Sequence, residues 1–218
     1  MISRNNILAR LRKGEQEIKS TSLPKIIDAN LYADFPEDNN LLINKFQQNL
    51  EKLNGEVFVV NNVQKAGEKL LNIIKDFPEN SCLVQKNSLI DQIIDYDTMI
   101  HKYMSDEGLS MNSVSFANFE AGITAAEYLV ARTGSIIINT LSSGGRRLSV
   151  LPPLHIVIAD NSQLVSSLDE GLTNLKRNSR NWSYATIITG PSRTSDIEKQ
   201  LVLGAHGPKR LVVILINQ

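Results

Sequence analysis

The chain has 218 residues, enough for one sizeable domain or a domain with a helical extension. Apolar residues make up 42% of it, which allows a full core, and 23 Lys plus Arg balance 23 Asp plus Glu. The balance leaves no global field to draw in nucleic acid or anionic membrane. With no apolar run near about 18 residues and no signal-like N-terminus, the sequence predicts neither a membrane span nor a leader, hence a cytoplasmic protein.

Ile2 to Ile18 sets Ile7, Leu8, Leu11 and Ile18 among charges, which predicts an amphipathic helix. Ser20 to Asn40, with Pro24 and Pro36, reads as an irregular arm. Leu41 to Leu53 has apolar residues at helical spacing and stops at Asn54-Gly55. Glu56 to Val60 then reads as a strand, Val63 to Asp76 as a helix, Ser81 to Gln85 as a strand and Ser88 to Ile94 as a short helix. Strand, helix, strand at this spacing predicts a parallel βαβ unit. The single cysteine, Cys82, lies in the apolar second strand. One cysteine excludes an intrachain disulfide and a four-cysteine zinc or iron–sulfur site, and its setting suits a small buried hydrophobe better than a reactive thiolate.

His101 to Met111 is polar and loop-like, and Ser113 to Phe119 reads as a strand. Thr124 to Arg132 reads as a helix, with Thr124 as N-cap and Glu127 as the N3 glutamate of a capping box. Ser135 to Thr140 and Leu154 to Ala159 read as strands, and Leu141 to Arg147 as a flexible turn between them. Asp160 to Arg177 is expected to be one amphipathic helix capped by Asp160 and Asn161. Tyr184 to Thr189 is an apolar, β-branched run, read as a buried strand. Gly190-Pro191 breaks it, and Ser195-x-x-Glu198 matches a second capping box, so a helix is expected to start there. Leu211 to Ile216 is the last strand. Six or seven strands alternating with helices predict a three-layer α/β/α domain with a mainly parallel sheet.

Three loops carry candidate groups, on the expectation that ligands sit outside the carboxyl ends of parallel strands. In the first, Gly190, Ser192, Thr194 and Asp196 would present hydroxyls and free N–H groups at a helix N-terminus, a setting that suits a carboxylate or phosphate; simple helix capping is the alternative. In the second, Gly145 allows close backbone approach and Arg146 and Arg147 can fork onto an anion; a solvated turn is the alternative. In the third, Glu120 stands at a strand end as a general base or carboxylate nucleophile, or as a plain solvated acid. His206, beside Gly207, can press close to a ligand, whereas His155 reads as a core histidine satisfied by a backbone carbonyl. Three dispersed histidines with no helical i, i+4 pair predict no metal site. The absence of G-x-G-x-x-G leaves NAD without support.

The run TGPSRTSDIEKQLVLGAHGP, from Thr189 to Pro208, resembles the C-terminal signature of the LUD-domain family, the lactate-utilisation protein C group. Two upstream pieces agree in order and spacing. They are Gly122-Ile123-Thr124-Ala125 with Thr133-Gly134-Ser135, and Gly145-Arg146 through Ser149, Leu151-Pro152 and His155-Ile156. Together they cover about half of the chain, from Gly122 to Ile216. One departure is visible: family members commonly place an acid where this chain has Arg132. The resemblance implies the fold shared by CoA transferases and the ribose-phosphate and glucosamine-phosphate isomerases, with residues 1–54 as a helical extension and 55–218 as the α/β domain. It implies a component of a system that oxidises L-lactate to pyruvate. Such a component would bind a small anionic metabolite or scaffold partner subunits. With one cysteine the chain carries no cluster of its own, so iron–sulfur centres are expected on the partners. Two other readings stand beside this one: a stand-alone CoA-transferase-like or sugar-phosphate-isomerase-like enzyme using Glu120, and a regulatory anion-binding module. Homo-oligomerisation is left open.

Overall fold

The structure is a computed structural model and describes residues 38–105, 118–139, 147–178, 184–197, 200–203 and 207–218. Its centre is a five-stranded sheet. In chain order the strands are β1 (Glu56–Val60), β2 (Cys82–Val84), β3 (Ala121–Ala125), β6 (Leu154–Asp160) and β11 (Arg210–Ile216). They lie side by side as β1-β11-β6-β3-β2, every pair parallel. LHIVIAD and RLVVILI, the sequences of β6 and β11, are apolar almost throughout because both faces of the sheet are covered.

Alternate residues feed two cores. Ile156, Ile158, Val212, Ile214 and Ile216 pack with helices α2 (Val63–Ile74) and α3 (Ser88–Tyr96). Val157, Ala159, Leu211, Val213 and Leu215 face the other way, onto helix α1 (Asn39–Glu51) and a second sheet. Local signals start and stop these helices. Asp38, Asn62 and Asn87 cap α1, α2 and α3, each accepting from a first-turn N–H, an interaction worth about 1 kcal/mol apiece. Asn54, at φ 65°, closes α1 where the Asn-Gly pair predicted it. The division drawn after residue 54 falls just beyond α1. Phe46 and Leu50 of that helix are fully buried against the sheet, and α1 belongs to the same compact unit as the strands.

The second sheet has the order β7-β4-β5-β8, built from β4 (Tyr128–Val130), β5 (Ser135–Asn139), β7 (Leu164–Val165) and β8 (Ala185–Ile188). Helix α6 (Leu168–Asn178) packs behind it through Leu175. The mainly parallel sheet is as expected, but this second sheet is not, and eleven strands stand among the described residues. Three expected helices are corrected. Thr124 to Arg132 forms the end of β3, a turn and β4; its Ala and Glu residues favour helix locally, yet β3 has a ladder partner on each side and no exposed face. Asp160 to Arg177 divides into a capped 3-10 turn (Asn161–Gln163), β7 and α6. The stretch after Gly190 is an antiparallel hairpin of β9 (Arg193–Ile197) and β10 (Gln200–Leu203), so the second capping-box signal marks no helix start. A capping box satisfies two donors, whereas the paired strands satisfy a whole ladder. The expected helix at Ile2 to Ile18 and most of the strand at Ser113 to Phe119 lie outside the described residues; Asn118 and Phe119, which are described, are not in a strand.

Candidate functional site

Because all five central strands run the same way, their amino ends share one edge. The segments leading into them are joined there by backbone hydrogen bonds. Lys209 and Arg210 N–H donate to the Pro153 carbonyl (2.8 and 3.2 Å), Leu154 N–H to Glu120 (3.2 Å), and Glu120 N–H to Ser81 (2.9 Å). Arg210 also reaches the Glu56 carboxylate with two nitrogens, at 2.5 and 2.8 Å, tying the first residues of β11 and β1 together and holding the Glu56 carboxyl below its ordinary range.

The Gly190 turn joins this edge. Ser192 N–H donates to the Pro208 carbonyl at 2.9 Å, which brings Gly190, Ser192 and Gly207 together. Gly207 has φ 127°, and a Cβ there would stand 3.1 Å from that of Ser192, so both conformation and space call for glycine. Thr194 and Asp196 follow on β9, where the backbone pairs Thr194 with Val202. The helix dipole expected to draw an anion is therefore missing from this loop. Arg147 opens a short helix, α5 (Arg147–Val150), half-buried. The next residue, Leu148, presses its carbonyl against Gly122, where a Cβ would come within 2.0 Å of the oxygen. Gly145, Arg146 and His206 lie outside the described residues.

The expectation that the candidates sit beyond the carboxyl ends of the parallel strands is overturned. Gly190 follows a strand of the second sheet, and Glu120 stands just before β3, at an amino end of the parallel sheet. Glu120 lines a cavity of about 500 Å³ with Glu79, Asn80, Ser81, Ser105 and Asn118.

Sequence reasoning missed the buried partner of His155. Its Nε2 lies 2.8 Å from Thr124 Oγ1, not on a backbone carbonyl, and its Nδ1 has no partner among the described residues. Burial pushes the imidazole down to about 3, so it is neutral at physiological pH. Thr124, expected as a helix cap, is a buried strand residue on the same face of the sheet as Gly122 and His155. The motif pieces around Gly122 and His155 thus meet at one buried junction between β3, β6 and α5.

At the other end of β3 stands Glu127, in the turn to β4. It accepts from Asn139 Nδ2 at 2.6 Å, and burial raises its pKa above the usual carboxylate range. Nearby, Gln163 donates to the Ala126 carbonyl and Gln85 accepts from Ala125 N–H. Arg132, where relatives commonly carry an acid, falls in the β4–β5 turn, half-buried; its carbonyl and that of Ala131 accept from Asn49 of α1. Cys82 is fully buried, and burial, aided by the nearby Glu120 charge, pushes its thiol up to about 12, so it is neither nucleophile nor ready metal ligand. Among the described residues no helix is long and apolar enough to cross a membrane.

The LUD domain family model matches residues 43–216. Lactate utilization protein C of Deinococcus radiodurans is 37% identical over 99 residues, 45% of this chain and 47% of that protein. Lactate utilization protein C of Bacillus subtilis is 31% identical over 124 residues, 55% of this chain and 51% of that protein. The chain spans about half the length of these curated relatives. The crystal structure of a DUF162 family protein from Deinococcus radiodurans superposes with a TM-score of 0.63, covering 83% of this chain and 99% of that one at 18% identity, a likeness of fold.

Proposed function

The chain belongs to the LUD domain family, and from that premise we propose that it is a cytoplasmic component of a lactate-utilisation system, holding a small carboxylate at the amino edge of its parallel sheet. The observation that carries this reading is the Ser192–Pro208 hydrogen bond, which gathers Gly190, Ser192 and Gly207 onto the edge. Bare glycine backbone and a hydroxyl offer donors without side-chain bulk, and Arg147 or Arg146 supplies the cation that a carboxylate fork needs. Thr194, Asp196, Gly145 and His206, adjacent in sequence, complete the proposed set. The names of the curated relatives support the system to which it belongs.

Lactate oxidation to pyruvate releases two electrons and two protons. The one thiol of this chain is buried and protonated, so in this reading the electrons pass to iron–sulfur centres on partner subunits. The decisive experiment measures L-lactate-dependent reduction of a dye acceptor by the chain alone and by the chain mixed with its partner subunits. We expect turnover only in the mixture, weakened at least about tenfold by Arg147→Gln. Turnover by the chain alone, lost in Glu120→Gln, would replace this reading with the stand-alone CoA-transferase-like or isomerase-like enzyme, which the placement of Glu120 in a cavity favours. Lactate binding with no turnover even in the mixture would leave a regulatory module.

A further inference from the structure

Of the 12 glycines in the chain only Gly55 follows an asparagine. The fold calls for both residues. Asn54 has φ 65°, the left-handed position past a helix end where glycine and asparagine are favoured. Gly55 is buried, and a Cβ there would stand 2.6 Å from Cγ and Cδ1 of Leu50, itself fully buried. The two demands together write an Asn-Gly pair. In that dipeptide no side chain shields the second amide nitrogen from attacking the asparagine carboxamide.

The two reacting groups stand in different settings. Asn54 is exposed, so its carboxamide is open to water. The Gly55 nitrogen is engaged. Its N–H donates to the Leu50 carbonyl at 3.0 Å while Asn54 N–H donates to Glu51 at 2.9 Å, the paired bonds of a Schellman cap. The second sheet clamps this cap from outside. Asn49 Nδ2 donates to the Ala131 and Arg132 carbonyls, both at 2.9 Å. Gly134 packs so close that a Cβ there would stand 2.5 Å from the Leu50 nitrogen. The attacking nitrogen is released only when the last turn of α1 lifts.

We propose that Asn54 is a deamidation site gated by the C-terminal turn of α1, held unreactive in the fold and reactive when that turn opens. In the open state hydroxide takes the Gly55 amide proton, and the nitrogen attacks Asn54 Cγ. The N–Cγ bond forms, the Cγ–Nδ2 bond breaks, and the side-chain nitrogen leaves as ammonia with a proton from water. Water then opens the resulting succinimide at either carbonyl, leaving aspartate or isoaspartate at position 54. Isoaspartate routes the main chain through Cβ, which adds a carbon between α1 and β1. The extra carbon falls just ahead of Glu56, whose pairing with Arg210 ties β1 to β11. The product thus weakens the packing that protected the site. This reaction is independent of the proposed carboxylate site.

The test incubates the full chain at mildly alkaline pH, folded and in concentrated guanidinium. The Leu53–Lys65 tryptic peptide is followed by mass spectrometry, with fragmentation separating Asn54 from Asn61 and Asn62. Conversion at Asn54 is expected in denaturant and at least about tenfold slower in the folded chain. Asn49→Ala, which unclamps the end of α1, is expected to raise the folded rate at least about threefold and leave the denatured rate unchanged. Equal rates in the two states, no conversion at Asn54 even in denaturant, or a folded rate unmoved by Asn49→Ala overturns the proposal. The ratio of rates in the unsubstituted chain needs no variant and decides alone where Asn49→Ala fails to fold.

Discussion

Strand β3 carries a glutamate just beyond each end, and the two differ in every respect but chemistry. Glu120, at the entrance, lines an open polar cavity and its backbone is tied to two neighbouring segments. Glu127, at the exit, is partly buried against Asn139, and burial raises its pKa. Position relative to a strand end does not decide what a carboxylate does. Water and hydrogen-bond partners do, which is why one of these side chains lines an open cavity and the other belongs to the scaffold.

The largest effect expected near this strand comes from neither glutamate. Gly122→Ala sets a methyl about where the Leu148 carbonyl now stands. We expect a loss of about 3 kcal/mol or more, read by urea denaturation, because backbone, not a flexible side chain, must move. A loss below about 1 kcal/mol would mean that α5 is free to shift away from β3.

Next is His155, behind the strand. Its folded pKa of about 3 lies below the unfolded value of 6.5, so the unfolded chain binds the extra proton first. Stability is then full above about pH 6.5 and falls as pH drops towards 3, by up to about 1.4 kcal/mol per pH unit from this one group. His155→Gln should flatten that part of the curve, and equal slopes in the two proteins would remove His155 as its source.

The two glutamates themselves separate more finely. Glu127 has a raised folded pKa, so its ionisation costs stability as pH rises from 4.5 through the folded value. Glu127→Gln keeps an oxygen for Asn139 and removes the charge; it should be neutral to stabilising at pH 7, and any gain over wild type should vanish in acid, where Glu127 is itself protonated. Glu120→Gln should change stability by less than about 0.5 kcal/mol. If Glu120→Gln destabilises more than Glu127→Ala, the contrast drawn here is reversed.

The sequence reading was sound where pattern and environment agree. Leu41 to Ile94 has helix caps at Asn62 and Asn87 and amphipathic helices over a two-faced sheet, and its elements emerged almost at their observed bounds. Leu211 to Ile216 and Leu154 to Ala159 were legible because a fully buried strand is apolar throughout. The failures fall at the end of β3, in the second sheet and in the β9–β10 hairpin. Ala125-Ala126-Glu127 favours helix locally, but Ala125 is held in β3 by β6, distant in sequence, and the next two residues turn into β4. Ser195 mimics a cap, but its backbone lies in β9, paired with β10. Within the candidate site, Gly190, Ser192 and Gly207 were legible from glycine and hydroxyl spacing. The Thr124–His155 pair was not, since no local rule links a β3 hydroxyl to a ring on β6.

The Glu56–Arg210 pair joins residues 154 positions apart, and among the described residues β1 has no ladder partner other than β11. At synthesis rates of ~5–20 residues per second, β1 leaves the ribosome roughly 8–30 seconds before β11 exists. Through that interval Val57, Phe58, Val59 and Val60 form an apolar strand with both edges open. Until β11 arrives, that apolar segment lacks the neighbour that conceals one of its edges in the finished fold.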